Sequence, residues 1–217
     1  MTRRPTLVAT AVAAGAVTIF ARLQQAQLLE WLAKPLATIA VLLMALGAAP
    51  LPTARYRGLI AAGLLCSLAG DIFLMLPADL FLPGLVAFLA AHLCYLTAFR
   101  SDGGDGGPVG LLVLVVLAGA GVLSVLWPSL GTMRIPVLLY VAVILTMCWM
   151  ALGRWWVTRS PGSGLAAAGA ILFVASDSVL ALDRFRSPVP WSPLLVLGTY
   201  YAAQILIASS VGSARHT

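Results

Sequence analysis

The sequence predicts an all-α, polytopic membrane protein of eight transmembrane helices. Three observations carry that expectation. Hydrophobic residues make up 61% of the 217 residues and charged residues only 9%. The mean hydropathy is +1.02, far above what a soluble domain of this size needs for its core. The apolar residues also fall into runs of about 20, the length that crosses a bilayer as a helix.

Taken in order, the runs occupy roughly residues 5–21, 34–50, 57–77, 80–99, 108–127, 134–152, 163–183 and 191–211. Arg3-Arg4 followed by an apolar stretch has the form of a signal peptide, but an uncleaved first span is expected. Lys34-Pro35 opens the second run and Arg134-Ile135-Pro136 the sixth. The connections are short and turn-like, as in Pro50-Leu51-Pro52-Thr53. Ser101-Asp102-Gly103-Gly104-Asp105-Gly106-Gly107 is the most pliant of them and a natural seam between two halves. The expectation is a single integral membrane domain, residues 1–217, with no extramembrane domain.

The net charge of +6 would suggest nucleic acid in a soluble chain. Here the basic residues sit between apolar runs, so they set orientation, and no nucleic-acid partner is expected. Eight lie on the side of the N-terminus: Arg3, Arg4, Arg55, Arg57, Arg100, Arg154, Arg159 and Arg215. Five lie opposite: Arg22, Lys34, Arg134, Arg184 and Arg186. This places both termini in the cytoplasm, and the Arg-, Ala- and Gly-rich composition fits a bacterial inner membrane. Cys66, Cys94 and Cys148 lie inside apolar runs without ligand spacing, and the histidines are His92 and His216. No metal site and no cofactor are expected.

Two aspartates break this pattern. Gly70-Asp71-Ile72-Phe73-Leu74-Met75-Leu76 and Ser176-Asp177-Ser178-Val179-Leu180-Ala181-Leu182 share the form small–Asp–x–x–Leu–x–Leu. A charged carboxylate amid hydrocarbon costs about 2.5–3.5 kcal/mol on insertion scales, so an aspartate kept there twice is expected to act. Each lies six residues before the end of its run, roughly 9 Å deep, and the third and seventh runs are parallel. The carboxyls therefore reach similar depth. Glu30, Asp79, Asp102, Asp105 and Asp183 are expected in loops or at span ends, solvated. The matched positions of Asp71 and Asp177, of Lys34 and Arg134, suggest a duplicated four-helix unit.

Other polar residues gather in the same half: Lys34, Tyr140, His92 with Tyr95, and Tyr200 with Gln204, the last two pairs each sharing a helix face. Ser178 flanks Asp177, and Arg184, two turns on, is expected to lean back toward it. Asp71, between Leu68, Leu74 and Met75, is the expected acid; Asp177, beside Ser176, Ser178 and Arg184, the expected base. Two carboxyls in one water-poor site hold a proton between them and supply acid and base together. That suits hydrolysis through an oxocarbenium-like cation. It equally suits a proton-coupled lipid or small-molecule transporter, and the aspartates could also only pack helices in a lipid-binding protein.

Lys34-Pro35-Leu36, the two Asp segments, Phe88 with His92 through Tyr95, and Tyr200-Tyr201-Ala202-Ala203-Gln204 occur in this order. Together they resemble the YhhN-like family, which includes the animal lysoplasmalogenases, over about residues 34 to 210. Asp183-Arg184-Phe185 departs from the Asn-Lys-Phe of many relatives but keeps the cation. The resemblance implies cleavage of the vinyl ether bond of a lysoplasmalogen, releasing a fatty aldehyde and a glycerophospho-headgroup. The substrate would then be a lysophospholipid-type amphiphile entering from the bilayer, its phosphate held by Lys34 and Arg184.

Overall fold

The computed structural model describes residues 3–49, 51–103 and 106–212. The described residues form eight α-helices and no strand: α1 (Arg3–Leu23), α2 (Gln27–Gly47), α3 (Ala54–Met75), α4 (Phe81–Ser101), α5 (Val109–Leu126), α6 (Arg134–Thr158), α7 (Pro161–Phe185) and α8 (Ser192–Ser209). All eight runs are long and apolar enough to cross a membrane, α5 together with the short turn that follows it. In hydrocarbon a helix satisfies its own backbone hydrogen bonds, which is why apolar runs of this length fold this way. Asp105, Arg215 and His216 lie outside the described residues.

Local signals set several ends. Thr53 caps α3 by accepting from the Tyr56 amide at 3.0 Å, and Ser160 caps α7, with Pro161 at its first position. Arg159 leaves α6 in a left-handed conformation (φ 49°), its guanidinium over the rings of Trp155 and Trp156.

α2 departs from expectation. It begins at Gln27, so Lys34-Pro35 lies inside the helix and does not open it. The first two turns carry exposed Leu28, Trp31 and Leu32 and form a surface ramp. Lys34 therefore sits about 10 Å below the start of the helix and is buried.

The helices pack most closely in the pairs α3–α4 and α7–α8. Small residues make the first pair possible. A Cβ at Gly63 would stand 2.3 Å from the Tyr95 ring, and one at Gly70 2.6 Å from the Phe88 ring. Without side chains at these two positions, α4 presses its aromatic residues against α3. At Gly169 a Cβ would meet Ile207 at 2.7 Å and the Ala203 carbonyl at 2.9 Å, which draws α8 onto α7 in the same way. α5 buries only Gly119 and Leu126 and borders the bundle loosely.

The two described ends of the chain meet: the Arg4 guanidinium donates to the Ser209 carbonyl at 3.0 Å. At that same end a buried cluster ties α3, α4, α6 and α8 together. Arg154 pairs with Asp102 at 2.5 Å and donates to Tyr56 Oη at 3.1 Å, and Tyr56 bonds Ser210 at 2.7 Å. Asp102 is thus a buried ion-pair partner, not the solvated loop residue the sequence suggested.

Candidate active site

At the opposite end of the bundle α2, α3, α4, α6, α7 and α8 converge on two carboxyls. Asp71, on α3, accepts from Thr38 Oγ1 of α2 and from Tyr200 Oη of α8, both at 2.7 Å on Oδ2. Lys34 Nζ stands 3.3 Å from its Oδ1. The Asp71 side chain is 2% exposed and that of Lys34 7%. An ammonium and two hydroxyl donors around one enclosed carboxyl all favour its anion.

Asp177, on α7, is held differently. Tyr140 of α6 donates its phenol proton to Oδ2, and His92 Nε2 of α4 lies 3.4 Å from the same oxygen. Among the described residues no lysine or arginine pairs with it. Its side chain is 17% exposed, the more accessible of the two carboxyls. The surroundings differ from those expected from the sequence: Asp71 meets Lys34, Thr38 and Tyr200, and Asp177 meets Tyr140 and His92. The reason is tertiary, because Lys34, Thr38 and Tyr200 arrive from other helices.

Both carboxyls line one polar pocket of about 120 Å³. Its outer wall carries Arg22, Glu30, Asp183 and Ser192, and Lys34 lies deeper. A second cavity, about 130 Å³ and almost wholly apolar, lies between α4, α5, α6 and α7. Phe81, Leu85, Val122, Leu126, Ile144 and Phe185 line it, and Asp177, Tyr140 and Ser178 are its polar residues. Leu74, Phe88, Asp177 and Leu180 border both cavities. Leu74 and Leu180 are the same position of the repeated segment, three residues past each Asp, so each helix turns carboxyl and leucine to one face. Asp177 stands where the polar and apolar spaces meet.

The remaining expected residues fall into three groups. Tyr200, Tyr95 and Gln204 form one network behind Asp71. Tyr95 donates to Gln204 Oε1 at 2.8 Å, and Gln204 Nε2 donates to Tyr200 Oη at 3.1 Å, which aims the Tyr200 proton at Asp71. His92 and Tyr140 serve Asp177. Phe173 packs edge-on against His92 and Tyr200, with ring centroids 4.6 and 5.5 Å apart, and fixes both rings. Ser178 lines the apolar cavity, but its hydroxyl returns to the Val174 carbonyl at 2.7 Å.

Arg184 is not brought to the site. It pairs with Asp79 through 2.7 and 2.9 Å bonds, lies over the Phe81 ring, and is 46% exposed. Sequence reasoning placed it by helical spacing alone, and the exposed Asp79 competes for it. Thr38 was missed, although it stands one turn after Lys34 on the same face. Glu30 and Asp183 were assigned to solvent. In fact Glu30 is buried in the first turn of α2, 3.3 Å from Arg22, and Asp183 accepts from the Val189 amide at 2.8 Å. Among the described residues no cluster of three or more His, Cys, Asp or Glu has the arrangement of a metal site.

Comparison with known proteins gives a consistent answer. The YhhN family pattern matches residues 29–211. The chain is 40% identical to the human protein "Lysoplasmalogenase TMEM86B" over 160 residues, 73% of this chain and 66% of that one. It is 38% identical to the pig protein of the same name over 177 residues (82% and 72%), and 36% identical to "Lysoplasmalogenase" of Mycobacterium bovis over 188 residues (80% and 67%). The chain thus spans about two thirds of the length of the relatives it matches. No solved structure matches it. An eight-helix bundle, two aspartates lining one pocket and a family match over most of the chain agree, and this protein belongs to the YhhN family.

Proposed function

We propose that this protein is a membrane-embedded lysoplasmalogenase, a hydrolase that cleaves the vinyl ether bond of lysoplasmalogens to a fatty aldehyde and a glycerophospho-headgroup. One observation carries the reading from the structure: Asp177 stands at the junction of a polar pocket and an apolar chamber. A vinyl ether is the bond that joins a polar headgroup to a hydrocarbon chain in such a lipid. With the chain in the apolar chamber and the headgroup in the polar pocket, that bond lies beside Asp177. The relatives named lysoplasmalogenase support the same activity.

The chemistry follows from the two environments. Protonation of the alkenyl carbon one removed from the ether carbon is the hard step, and a positioned acid speeds such a step by about 10²–10⁴-fold. Asp177, accessible and without a cation beside it, delivers that proton. The cation that forms spreads over the ether carbon and oxygen. Asp71, kept as an anion by Lys34, Thr38 and Tyr200, faces the same pocket and stabilises it. Water then adds to the ether carbon and returns a proton to Asp177. The hemiacetal collapses as Asp177 protonates the glycerol oxygen and takes the proton of the new hydroxyl. Aldehyde and alcohol separate, and Asp177 ends as it began.

Lys34 and Arg22 supply positive charge where the phosphate would lie, and Arg184 has no part. The pairing of α3 with α4 and of α7 with α8 supports a doubled four-helix unit. The charge distribution between runs supports cytoplasmic termini in a bacterial inner membrane, which turns the polar pocket to the outer face.

The deciding experiment is aldehyde release by purified protein in detergent, without a membrane gradient, over a panel of lysolipids. Release from the vinyl ether lipid alone is the expected result. No release from any of them would overturn the reading and leave a transporter using the same aspartates.

A further inference from the structure

We propose that His92 is a positioning residue which, through its shorter bond to Tyr140, reserves one oxygen of Asp177 for the acid proton. The inference rests on Asp177 being the proton donor of the reaction above.

His92 comes from α4, Tyr140 from α6 and Asp177 from α7. The His92 ring is wholly enclosed, with Nε2 2.8 Å from Tyr140 Oη and 3.4 Å from Asp177 Oδ2. Tyr140 Oη lies against the same Oδ2. His92 Nδ1 is buried and has no hydrogen-bond partner among the described residues. Phe173 fixes the ring plane from the side.

The protons can be placed in three ways, and burial decides among them. An imidazolium would leave a charged N–H at Nδ1 with no acceptor, the most costly arrangement in an enclosed site. A neutral ring with its proton on Nδ1 would also bury an unmet donor, and Tyr140 would then have to turn its proton toward His92. A neutral ring with its proton on Nε2 leaves only a bare lone pair at Nδ1. That is the least costly of the three, and the only one in which the protons of both His92 and Tyr140 have acceptors.

With the proton on Nε2 the hydrogen bonds run one way, from His92 Nε2–H to Tyr140 Oη and from Tyr140 O–H to Asp177 Oδ2. Oδ2 is then committed as an acceptor. The carboxyl proton can only sit on Oδ1, which meets no protein donor or acceptor among the described residues. Without His92 the phenol is free to reverse and take the carboxyl proton as an acceptor, and the acid is then aimed at Tyr140 and away from the substrate. The histidine touches no substrate atom; it sets the direction in which the phenol donates.

The test uses the full-length purified protein with a lysoplasmalogen in micelles, and Asp177→Asn as reference. His92→Leu and Tyr140→Phe should each lower kcat by about ten- to a hundredfold while KM stays within about threefold, the signature of a group that matters only in the transition state. The double variant should be no slower than Tyr140→Phe, because residues that act as one unit are not additive. His92→Gln, whose amide stands where Nε2–H stood, should recover most of the kcat lost in His92→Leu.

Full kcat in His92→Leu with an inactive Asp177→Asn overturns the inference, and so does a glutamine variant as slow as leucine. An active Asp177→Asn sinks the acid assignment itself. Should His92→Leu not fold, His92→Gln is compared with wild type in the Tyr140→Phe background. Equal kcat is then expected, and any difference shows a histidine role that bypasses the phenol.

Discussion

Lys34 and Tyr140 stand in the same relation to two different aspartates. Each precedes its carboxyl by 37 residues: Lys34 lies 3.3 Å from Asp71, and Tyr140 is hydrogen-bonded to Asp177. Each site then takes its second partner from across the bundle, Tyr200 of α8 for Asp71 and His92 of α4 for Asp177. The spacing is the same and the partners are not. An ammonium brings charge to one carboxyl, whereas a phenol brings a hydrogen bond without charge to the other. On the proposed mechanism that difference separates the stabilising carboxylate from the acid.

The Lys34–Asp71 pair makes a thermodynamic prediction. Both side chains are enclosed, so Lys34→Met leaves an uncompensated buried carboxylate, a loss that costs about 3–5 kcal/mol. Asp71→Asn in that background removes the charge and should restore most of the melting temperature. Activity should not return, because the anion facing the cation is gone. Thermal melts in detergent beside aldehyde assays check both parts. A double variant no more stable than Lys34→Met would show that the pair is not coupled in this way.

Asp177→Asn is close in shape and should fold, yet hydrolysis should fall by about 10² or more, since an amide has no proton to give at that step. Single-turnover aldehyde release measures it. Activity within tenfold of wild type would remove Asp177 from the chemistry.

Arg184→Ala should change little. An exposed ion pair contributes about 0–1 kcal/mol, and Arg184 points to Asp79 at the rim. KM for a phosphate-bearing substrate should stay within about threefold of wild type, by the same estimate. A tenfold rise would return Arg184 to the headgroup site.

Ala181 lines the apolar chamber one residue past Leu180. Ala181→Phe should fill part of that space and lower kcat/KM for long alkenyl chains by about tenfold, near 1.4 kcal/mol, while sparing short ones. A uniform loss over the chain-length series would place the hydrocarbon elsewhere.

Gly63→Ala tests how α3 sets the site. Its Cβ would meet the Tyr95 ring at 2.3 Å, and overpacking of this kind costs about 1–3 kcal/mol. Tyr95 must move, and with it the Gln204–Tyr200 bonds that serve Asp71. A lower melting temperature with reduced kcat is expected. An unchanged kcat would show that the network behind Asp71 does not matter to the reaction.

The sequence by itself determined the class of fold and singled out the two aspartates that line one pocket. Apolar runs of membrane length fold as helices because lipid offers the backbone no other partner, so all eight were legible, with the start of α2 and the end of α6 misplaced by six or seven residues. Asp71 and Asp177 stood out because a carboxylate in such a run is costly wherever the helix goes. Local spacing also found His92 with Tyr95 and Tyr200 with Gln204. What each aspartate meets was decided only by packing. Lys34 reaches Asp71 because α2 starts seven residues early, and Tyr140 reaches Asp177 because α6 lies against α7. Arg184, near Asp177 in sequence, turns to Asp79 because an exposed cation takes the partner that costs no desolvation. The character of a buried carboxyl depends on which donors arrive from other helices, and helical periodicity along one chain segment carries no information about those.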